Sequence, residues 1–221
     1  MTNPKYKRVL LKLSGEALIG TKQYGIDDII IKEFASQISQ IQKEKIELII
    51  VIGGGNFFRG SDLEKLGIQR VTADHMGMLA TVANSLALQS SIEQLGIDCR
   101  VMSSITIDAV CEKYIKRKAE RHLEKGRVII LAAGTGNPYF TTDSAASLRA
   151  IELNAEIMLK GTKVDGIYDK DPVTNSDAIL YNTISYSDIL KNNLEVMDAT
   201  AVIMCKENNM PLKVFNILKK G

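Results

Sequence analysis

A continuous run of branched apolar residues, Ile49 to Ile52, constrains the possible fold more than any other feature of this sequence. A strand that is apolar on both faces has to be covered on both faces, which is typical of a parallel sheet with helices on each side. Further short apolar runs alternate with longer segments of helical period, which is the pattern of βαβ units. The sequence therefore predicts an α/β fold with a mainly parallel central sheet.

The predicted elements follow from this alternation. Strands are predicted at residues 8–13, 47–52, 99–103, 127–132, 156–160 and 212–216. Helices are predicted at residues 27–43, 72–95, 108–124, 143–153 and 198–209. After Lys160 the turn signals Asp165-Gly166 and Asp171-Pro172 surround shorter runs, which indicates a smaller, looped segment. We expect a single domain over residues 1–221, with an N-terminal lobe at about 1–160 and a C-terminal lobe at about 161–221.

Charge and cysteine content exclude several classes of protein. The 28 Lys and Arg residues nearly balance the 26 Asp and Glu residues, so neither nucleic acid nor a membrane surface is expected as the main partner. Any anion must then be bound by local groups. Cys99, Cys111 and Cys205 lie far apart without CxxC spacing, which argues against a disulfide framework or a zinc site. Because no apolar run reaches transmembrane length, we expect a cytoplasmic protein with reduced thiols.

Four polar or glycine-rich segments come directly after predicted strands. They are Lys12 to Gly15, Gly53 to Gly60, Gly134 to Asp143, and Lys160 to Gly166. Ligands of an open parallel sheet bind at the carboxyl ends of its strands, so these segments should gather at one edge. Glycine lets phosphate oxygens approach backbone N–H groups, and a following helix adds partial positive charge. One glycine cluster alone would indicate a tight turn, but two long clusters that contain Arg59, Thr141 and Thr142 predict an anion site.

The usual nucleotide-binding fingerprints are absent, since the chain has no GxxxxGK[ST], no GxGxxG and no kinase HRD or DFG signature. A phosphotransferase would therefore belong to another class. Lys12 and Lys160 occupy equivalent places at two strand ends, where their ammonium groups could neutralise charge on transferring phosphate oxygens. Asp143 begins a helix beside them and could orient both. His75 has no acid or nucleophile partner and His122 lies in a charged helix, so neither is predicted to be catalytic.

Five segments of the chain resemble bacterial uridylate kinases of the amino acid kinase superfamily. They are Arg8 to Leu18, Gly53 to Gly60, Asp74 to Thr81, Gly134 to Ala145, and Thr162 to Gly166. The stretch TGNPYFTTDSAA is specific to the uridylate branch, whereas the motifs KLSG and GGG are shared more widely in the superfamily. The resemblance runs from about Lys7 to Asn216. It implies a three-layer α/β/α sandwich and transfer of the γ-phosphoryl group of Mg-ATP to UMP in pyrimidine nucleotide biosynthesis. It also implies a homo-oligomer, usually a hexamer.

The resemblance also assigns roles to individual residues. The catalytic group it implies is Lys12, Asp143, Lys160 and Arg59. ATP would be bound by Lys12, Leu13, Ser14, Gly15, Gly55, Arg59, Thr162, Tyr168 and Asp171. UMP would be bound by Gly54, Asp74, Thr135, Gly136, Asn137, Pro138, Tyr139, Phe140, Thr141 and Thr142. Mg²⁺ is expected to arrive with ATP, and we predict no metal-ligating residue of the protein itself.

Two alternative functions remain at this point. One is a kinase of the same superfamily with a carboxylate or carbamate acceptor, such as acetylglutamate kinase, against which the loop from Thr135 to Thr142 argues. The other is a catalytically silent nucleotide sensor, against which the joint presence of the four catalytic residues argues. The helix predicted at 72–95 is apolar nearly all round, so either its own domain or a second subunit must cover it. The resemblance favours the subunit.

Overall fold

The computed structural model of the protein describes residues 4–58, 63 and 65–219. Its centre is a seven-stranded sheet in the order β4-β3-β5-β2-β1-β6-β7, in which every neighbouring pair is parallel. The strands are β1 (Arg8–Leu13), β2 (Glu47–Ile52), β3 (Cys99–Ser103), β4 (Glu112–Lys113), β5 (Val128–Ala132), β6 (Ile157–Thr162) and β7 (Leu212–Asn216). The helices among the described residues are α1 (Asp28–Lys43), α2 (Arg70–Glu93), α3 (Lys116–Glu124), α4 (Thr142–Glu152), α5 (Tyr186–Lys191) and α6 (Ala199–Glu207). The predicted α/β class is confirmed.

Strand β2 shows why the sheet is covered on both faces. Ile50 and Ile52 pack into a core shared with α1 and α2, whereas Ile49 and Val51 pack into a second core shared with α4 and α6. All four side chains are essentially inaccessible to solvent. Because successive side chains point to opposite faces of the sheet, β2 contributes residues to two separate cores. The result is a three-layer α/β/α sandwich.

Each helical layer is built from helices that pack on one another as well as on the sheet. Helices α1 and α2 pack together on one face, and α4 packs on α6 on the other. Side chains cap three of these helices: Asp27 accepts hydrogen bonds at the start of α1, Thr141 at the start of α4, and Asp198 at the start of α6. Such caps fix where a helix begins and which direction its first turn faces. The starts of α4 and α6 are consequently well defined.

The prediction of one helix over residues 108–124 was wrong in its first half. The structure has the two-residue strand β4 there, paired with β3, and α3 begins only at Lys116. Ile115 is extended, with φ −137° and ψ 122°, and the stretch from Val110 to Ile115 contains residues that favour strands over helices. Only Ala119 and Leu123, four residues apart, supply the buried face of α3. The short helix α5 was not predicted.

The sheet continues through the predicted lobe boundary near residue 160. Strand β6 runs from Ile157 to Thr162, pairs with β1 on one side and with β7 on the other, and so ties both predicted lobes into one sheet. The division into lobes stays a prediction.

Within the described part of the chain, no helix is both long enough and apolar enough to cross a membrane.

Candidate active site

The four glycine-rich or polar segments meet at one edge of the sheet. Strands β5, β2, β1 and β6 are consecutive in the sheet, and each segment follows one of them. The first two segments touch directly, because the backbone N–H of Gly53 donates to the carbonyl of Leu13 at 3.0 Å. A Cβ at Gly15 would lie 2.5 Å from the Gly53 carbonyl oxygen, so only glycine fits this approach. The loops after β1 and β2 therefore form one continuous surface.

A buried cluster of one carboxylate and two lysines lies at this edge. Lys12 and Lys160 are direct partners in the pairing of β1 with β6, which places their side chains next to each other. The Lys12 ammonium lies 2.8 Å from Asp143 Oδ1, and the Lys160 ammonium lies 2.7 Å from Asp143 Oδ2. Lys160 also donates a hydrogen bond to the carbonyl of Val196. Each oxygen of Asp143 thus holds one ammonium group.

Burial and charge act against each other in this cluster. Burial by itself would raise the pKa of Asp143, but the ammonium groups of Lys12 and Lys160 outweigh it, and the pKa lies below its usual value. Burial lowers the pKa of Lys160, and Lys12 adds to this effect, although Asp143 and more weakly Asp198 favour the charged form. Asp143 is therefore ionised at neutral pH, and it offsets the cost of placing two like charges side by side.

Asp198 is a residue beside the cluster that the sequence reasoning missed. Its carboxylate caps α6 by accepting from the N–H of Ala201 at 3.0 Å, and it also accepts from the hydroxyls of Thr141 and Ser144, the latter at 2.8 Å. It thus joins the start of α6 to the start of α4, one residue from Asp143. The only sequence signal was its position at the start of a predicted helix, which indicates a cap but not a contact with a residue more than fifty positions away.

A cavity of about 410 Å³ adjoins the start of α4, and Thr142, which directly precedes Asp143, is one of its lining residues. Its lining includes the predicted UMP residues Gly54, Asp74, Thr135, Phe140, Thr141 and Thr142, and also Gly55 and Arg70. The Asp74 carboxylate accepts from the N–H of Tyr139 at 2.7 Å and from Arg70 Nε at 2.9 Å. Gly136, Asn137, Pro138 and Tyr139 belong to the same loop but do not line the cavity. We call the segment from Gly134 to Thr142 the acceptor loop.

A second cavity, of about 460 Å³, is lined by Thr162, Tyr168, Asp171 and Val196 among others. Asp171 is structured by its own turn, in which its carboxylate accepts from the N–H of Val173 at 2.8 Å. Thr162 donates its hydroxyl to the carbonyl of Val164 at 2.8 Å. The cluster is therefore next to one lining residue of each cavity: Asp143 directly follows Thr142 of the first, and Lys160 donates to the carbonyl of Val196 of the second.

Leu13 and Ser14 differ in which of their atoms can reach the site. The side chain of Leu13 is buried in the core, so only its backbone faces the loops, whereas Ser14 is partly exposed just before the 3-10 turn Gly15–Leu18. Arg59, predicted to contact phosphate groups, lies outside the described residues. No group of three or more His, Cys, Asp or Glu side chains suited to a metal ion occurs within the described residues.

The comparison with protein families decides how this site is classified. A model of the Amino acid kinase family matches residues 7–216. The chain belongs to the amino acid kinase family. That match extends from just before β1 to the end of β7, so this member of the amino acid kinase family carries the family pattern through the whole sheet.

Several members of the amino acid kinase family are similar to this chain over nearly its full length. The uridylate kinase of Dichelobacter nodosus is 56% identical over 218 residues, which cover 99% of this chain and 90% of that protein. The uridylate kinase of Methylococcus capsulatus is 55% identical over 221 residues, which cover 100% of this chain and 92% of that protein. The crystal structure of UMP kinase from Bacillus anthracis superimposes with a TM-score of 0.95 at 40% identity, covering 99% of this chain and 90% of the other.

Proposed function

We propose that this chain is an ATP-dependent nucleoside monophosphate kinase that transfers the γ-phosphoryl group of ATP to UMP, giving UDP and ADP. The observation that carries the proposal is the ion-paired cluster of Lys12, Asp143 and Lys160, which is next to lining residues of both cavities. Two preorganised positive charges between a donor and an acceptor site are what phosphoryl transfer requires. The full-length similarity to proteins named uridylate kinase supports UMP as the acceptor.

This phosphoryl transfer requires that the two substrates are aligned and that charge on the phosphoryl oxygens is neutralised. The acceptor is a phosphate oxygen of UMP, and a phosphate monoester is largely dianionic at neutral pH because its second pKa is about 6. No general base is needed to create the nucleophile. Lys12 and Lys160 would neutralise charge on the phosphoryl oxygens during transfer, and Asp143 would keep both ammonium groups in place. Mg²⁺ is proposed to accompany ATP, since in kinases it commonly binds to substrate phosphates and water.

The remaining residues divide between the two cavities. ATP is assigned to the side formed by Ser14, Gly15, Thr162, Tyr168 and Asp171, with the backbone of Leu13 behind the phosphates. UMP is assigned to the side formed by Gly54, Asp74 and the acceptor loop, with Asp74 toward the ribose. Gly55 and Arg59 would reach the phosphates between them. In this arrangement the UMP side lies entirely before residue 161, whereas the ATP side combines residues after it with the segment that follows β1. The three free cysteines support a cytoplasmic location.

A coupled ADP-release assay with Mg-ATP and a panel of acceptors tests the proposed function. We expect turnover with UMP, much poorer turnover with CMP, and only background rates with acetylglutamate or with no acceptor. The reason is that a site whose polar groups fit uracil leaves some of them unpaired when cytosine is bound. Equal use of CMP, or no turnover with UMP, would reject the proposal.

We also propose that the protein is a homo-oligomer, with the hexamer as the expected form. Leu79 and Ala83 are exposed on α2, and the half-buried Leu86 lies on the same face. An apolar helical face of this kind is typical of a subunit contact. Asp74, on the same helix, would link that contact to the acceptor site.

Replacing Ala83 with glutamate should dissociate the oligomer and weaken UMP binding together, because an unpaired charge cannot be buried in an apolar contact without a large cost. Light scattering and the KM for UMP measure the two effects. Ala83→Ser, which adds only a small uncharged group, is the control and should stay assembled. A monodisperse monomer in the unmodified protein would contradict the premise.

A further inference from the structure

A second polar cluster, partly buried, lies beside the acceptor loop. It consists of Ser104 after β3, Tyr114 after β4, and Arg149 and Glu152 on α4. The Arg149 side chain is only 8% exposed, which is unusual for a guanidinium. None of these four residues contributes to the phosphoryl-transfer cluster described above. Their position next to the acceptor loop calls for a separate explanation.

The guanidinium of Arg149 is held on three sides. It stacks over the ring of Tyr114, with 3.8 Å between Cζ and the ring centroid, and Nη1 is paired with the Glu152 carboxylate. Tyr114 donates its hydroxyl to the same carboxylate at 2.9 Å. These contacts hold the plane of the guanidinium, and in this orientation Nη2 points toward Ser104. A planar, multiply held guanidinium is a rigid hydrogen-bond donor.

Ser104 connects the Arg149 guanidinium to the acceptor loop through two hydrogen bonds. Nη2 of Arg149 donates to Ser104 Oγ at 3.0 Å, and Ser104 Oγ donates to the carbonyl of Gly134 at 2.7 Å. The two bonds run in the same direction, so the charge of Arg149 strengthens the second bond by polarising the hydroxyl. Arg149 therefore acts on the first residue of the acceptor loop without touching it.

The acceptor loop needs such an anchor because of its backbone. Ala133, Gly134 and Gly136 all have positive φ values, of 60°, 57° and 82°. A Cβ at Gly136 would lie 3.2 Å from both Cβ and the carbonyl oxygen of Ser104, so the loop closes tightly around this serine. Gly134 and Thr135 line the acceptor cavity. A shift of the loop at Gly134 would therefore displace the groups that face the acceptor.

Stability by itself is a poor explanation of the cluster. Within the described residues, Nε of Arg149 is buried and has no hydrogen-bond acceptor. A buried guanidinium that is not fully satisfied carries a desolvation cost, which apolar side chains at the same place would not carry. The geometry of the two hydrogen bonds through Ser104 accounts for its presence better than a contribution to folding does.

We infer that Arg149 is a positioning residue for the acceptor, which sets the conformation of the acceptor loop through Ser104 and the Gly134 carbonyl. The inference rests on the proposed function, since it assigns a role within the same acceptor site. It makes Arg149 and Ser104 determinants of the KM for UMP. It leaves the ATP side and the transfer step, which depend on Lys12, Asp143 and Lys160, without a direct contribution from this cluster.

Steady-state kinetics of Ser104→Ala provide the first test, because this variant removes one small hydroxyl and should fold normally. The KM for UMP should rise by about 5- to 10-fold, the loss expected for one ordinary hydrogen bond, here the bond that holds the Gly134 carbonyl. The KM for ATP and kcat should stay close to those of the unmodified enzyme. Arg149→Lys should raise the KM for UMP at least as much, since an ammonium cannot reproduce the planar fork that reaches both Glu152 and Ser104.

Ser187→Ala is the matched control. Ser187 is exposed on α5 and lines neither cavity, so removing its hydroxyl should leave the KM for UMP unchanged. An unchanged KM for UMP in Ser104→Ala, or equal rises in the KM values for UMP and ATP, would overturn the inference. The unmodified enzyme, assayed in parallel, separates this outcome from failure of the proposed function, which would appear as absence of UMP turnover before any substitution. If Arg149→Lys does not fold, Ser104→Ala alone decides.

Discussion

Replacing Lys12 with alanine is expected to lower kcat by about 10²-fold or more, the usual cost of losing one preorganised charge contact in a closed site. The Lys12 ammonium is buried and lies 2.8 Å from Asp143, so it is already fixed before substrates arrive. The fold should survive, because Asp143 keeps its pairing with Lys160 and the ammonium points to the ligand edge rather than into either apolar core. Initial rates at saturating UMP and ATP, with thermal unfolding as a check on the fold, measure the effect.

Lys213→Ala is the matched control for Lys12→Ala. Lys213 also lies within a strand of the sheet, β7, but its side chain is exposed and lies outside the proposed site. Its removal should leave kcat near that of the unmodified enzyme. A folded Lys12→Ala variant with nearly normal turnover would remove the basis for assigning the lysine a role in transfer.

Asp143→Asn is expected to depress kcat by about 10²-fold while the KM for UMP changes far less, because the residue is proposed to position charges rather than to contact the acceptor. Asparagine preserves the shape of the side chain but not its charge. The ammonium groups of Lys12 and Lys160 would then face each other without a shared counter-ion. Full rate and KM measurements for both substrates distinguish the two effects.

The pH dependence of Asp143→Asn gives an independent signature. Burial already lowers the pKa of Lys160, and the Asp143 carboxylate is the strongest group that opposes this shift. Without that charge the pKa of Lys160 falls further, and a lysine loses its positive charge as pH rises through its pKa. The alkaline limb of the kcat profile should therefore move to lower pH. Asp28→Asn, in the exposed first turn of α1, is the control and should change neither kcat nor the profile. A loss confined to KM would show that Asp143 has been assigned the wrong role.

The parts of the fold that could be predicted are those where local pattern and tertiary environment agree. Strand β2 is the clearest case, because a strand that is apolar on both faces is buried on both faces only at the centre of a sheet covered by helices. The segment before α3 shows the opposite case. Strand β4 has only two residues and exists because β3 offers it an edge, and such a strand leaves almost no periodic signal in the sequence.

The site was predictable only as far as topology dictates it. Segments that follow parallel strands must meet at one edge, so the neighbourhood of Lys12 and Lys160 could be foreseen. Their direct pairing depends on the register of β1 against β6, which the sequence does not reveal. Asp198 and Arg149 contact residues about forty-five to sixty positions away. These contacts depend on how distant parts of the chain pack together, and no local sequence pattern encodes them.

We propose that the γ-phosphoryl group passes directly from ATP to a phosphate oxygen of UMP at the edge where these loops meet. Incubation with ATP labelled at the γ-phosphorus, followed by separation of the nucleotides, measures this transfer. We expect label to appear in UDP in equal amount to the ADP formed, and we expect Asp143→Asn to reduce both strongly. Label recovered as inorganic phosphate, on the protein, or in a product other than UDP would contradict it.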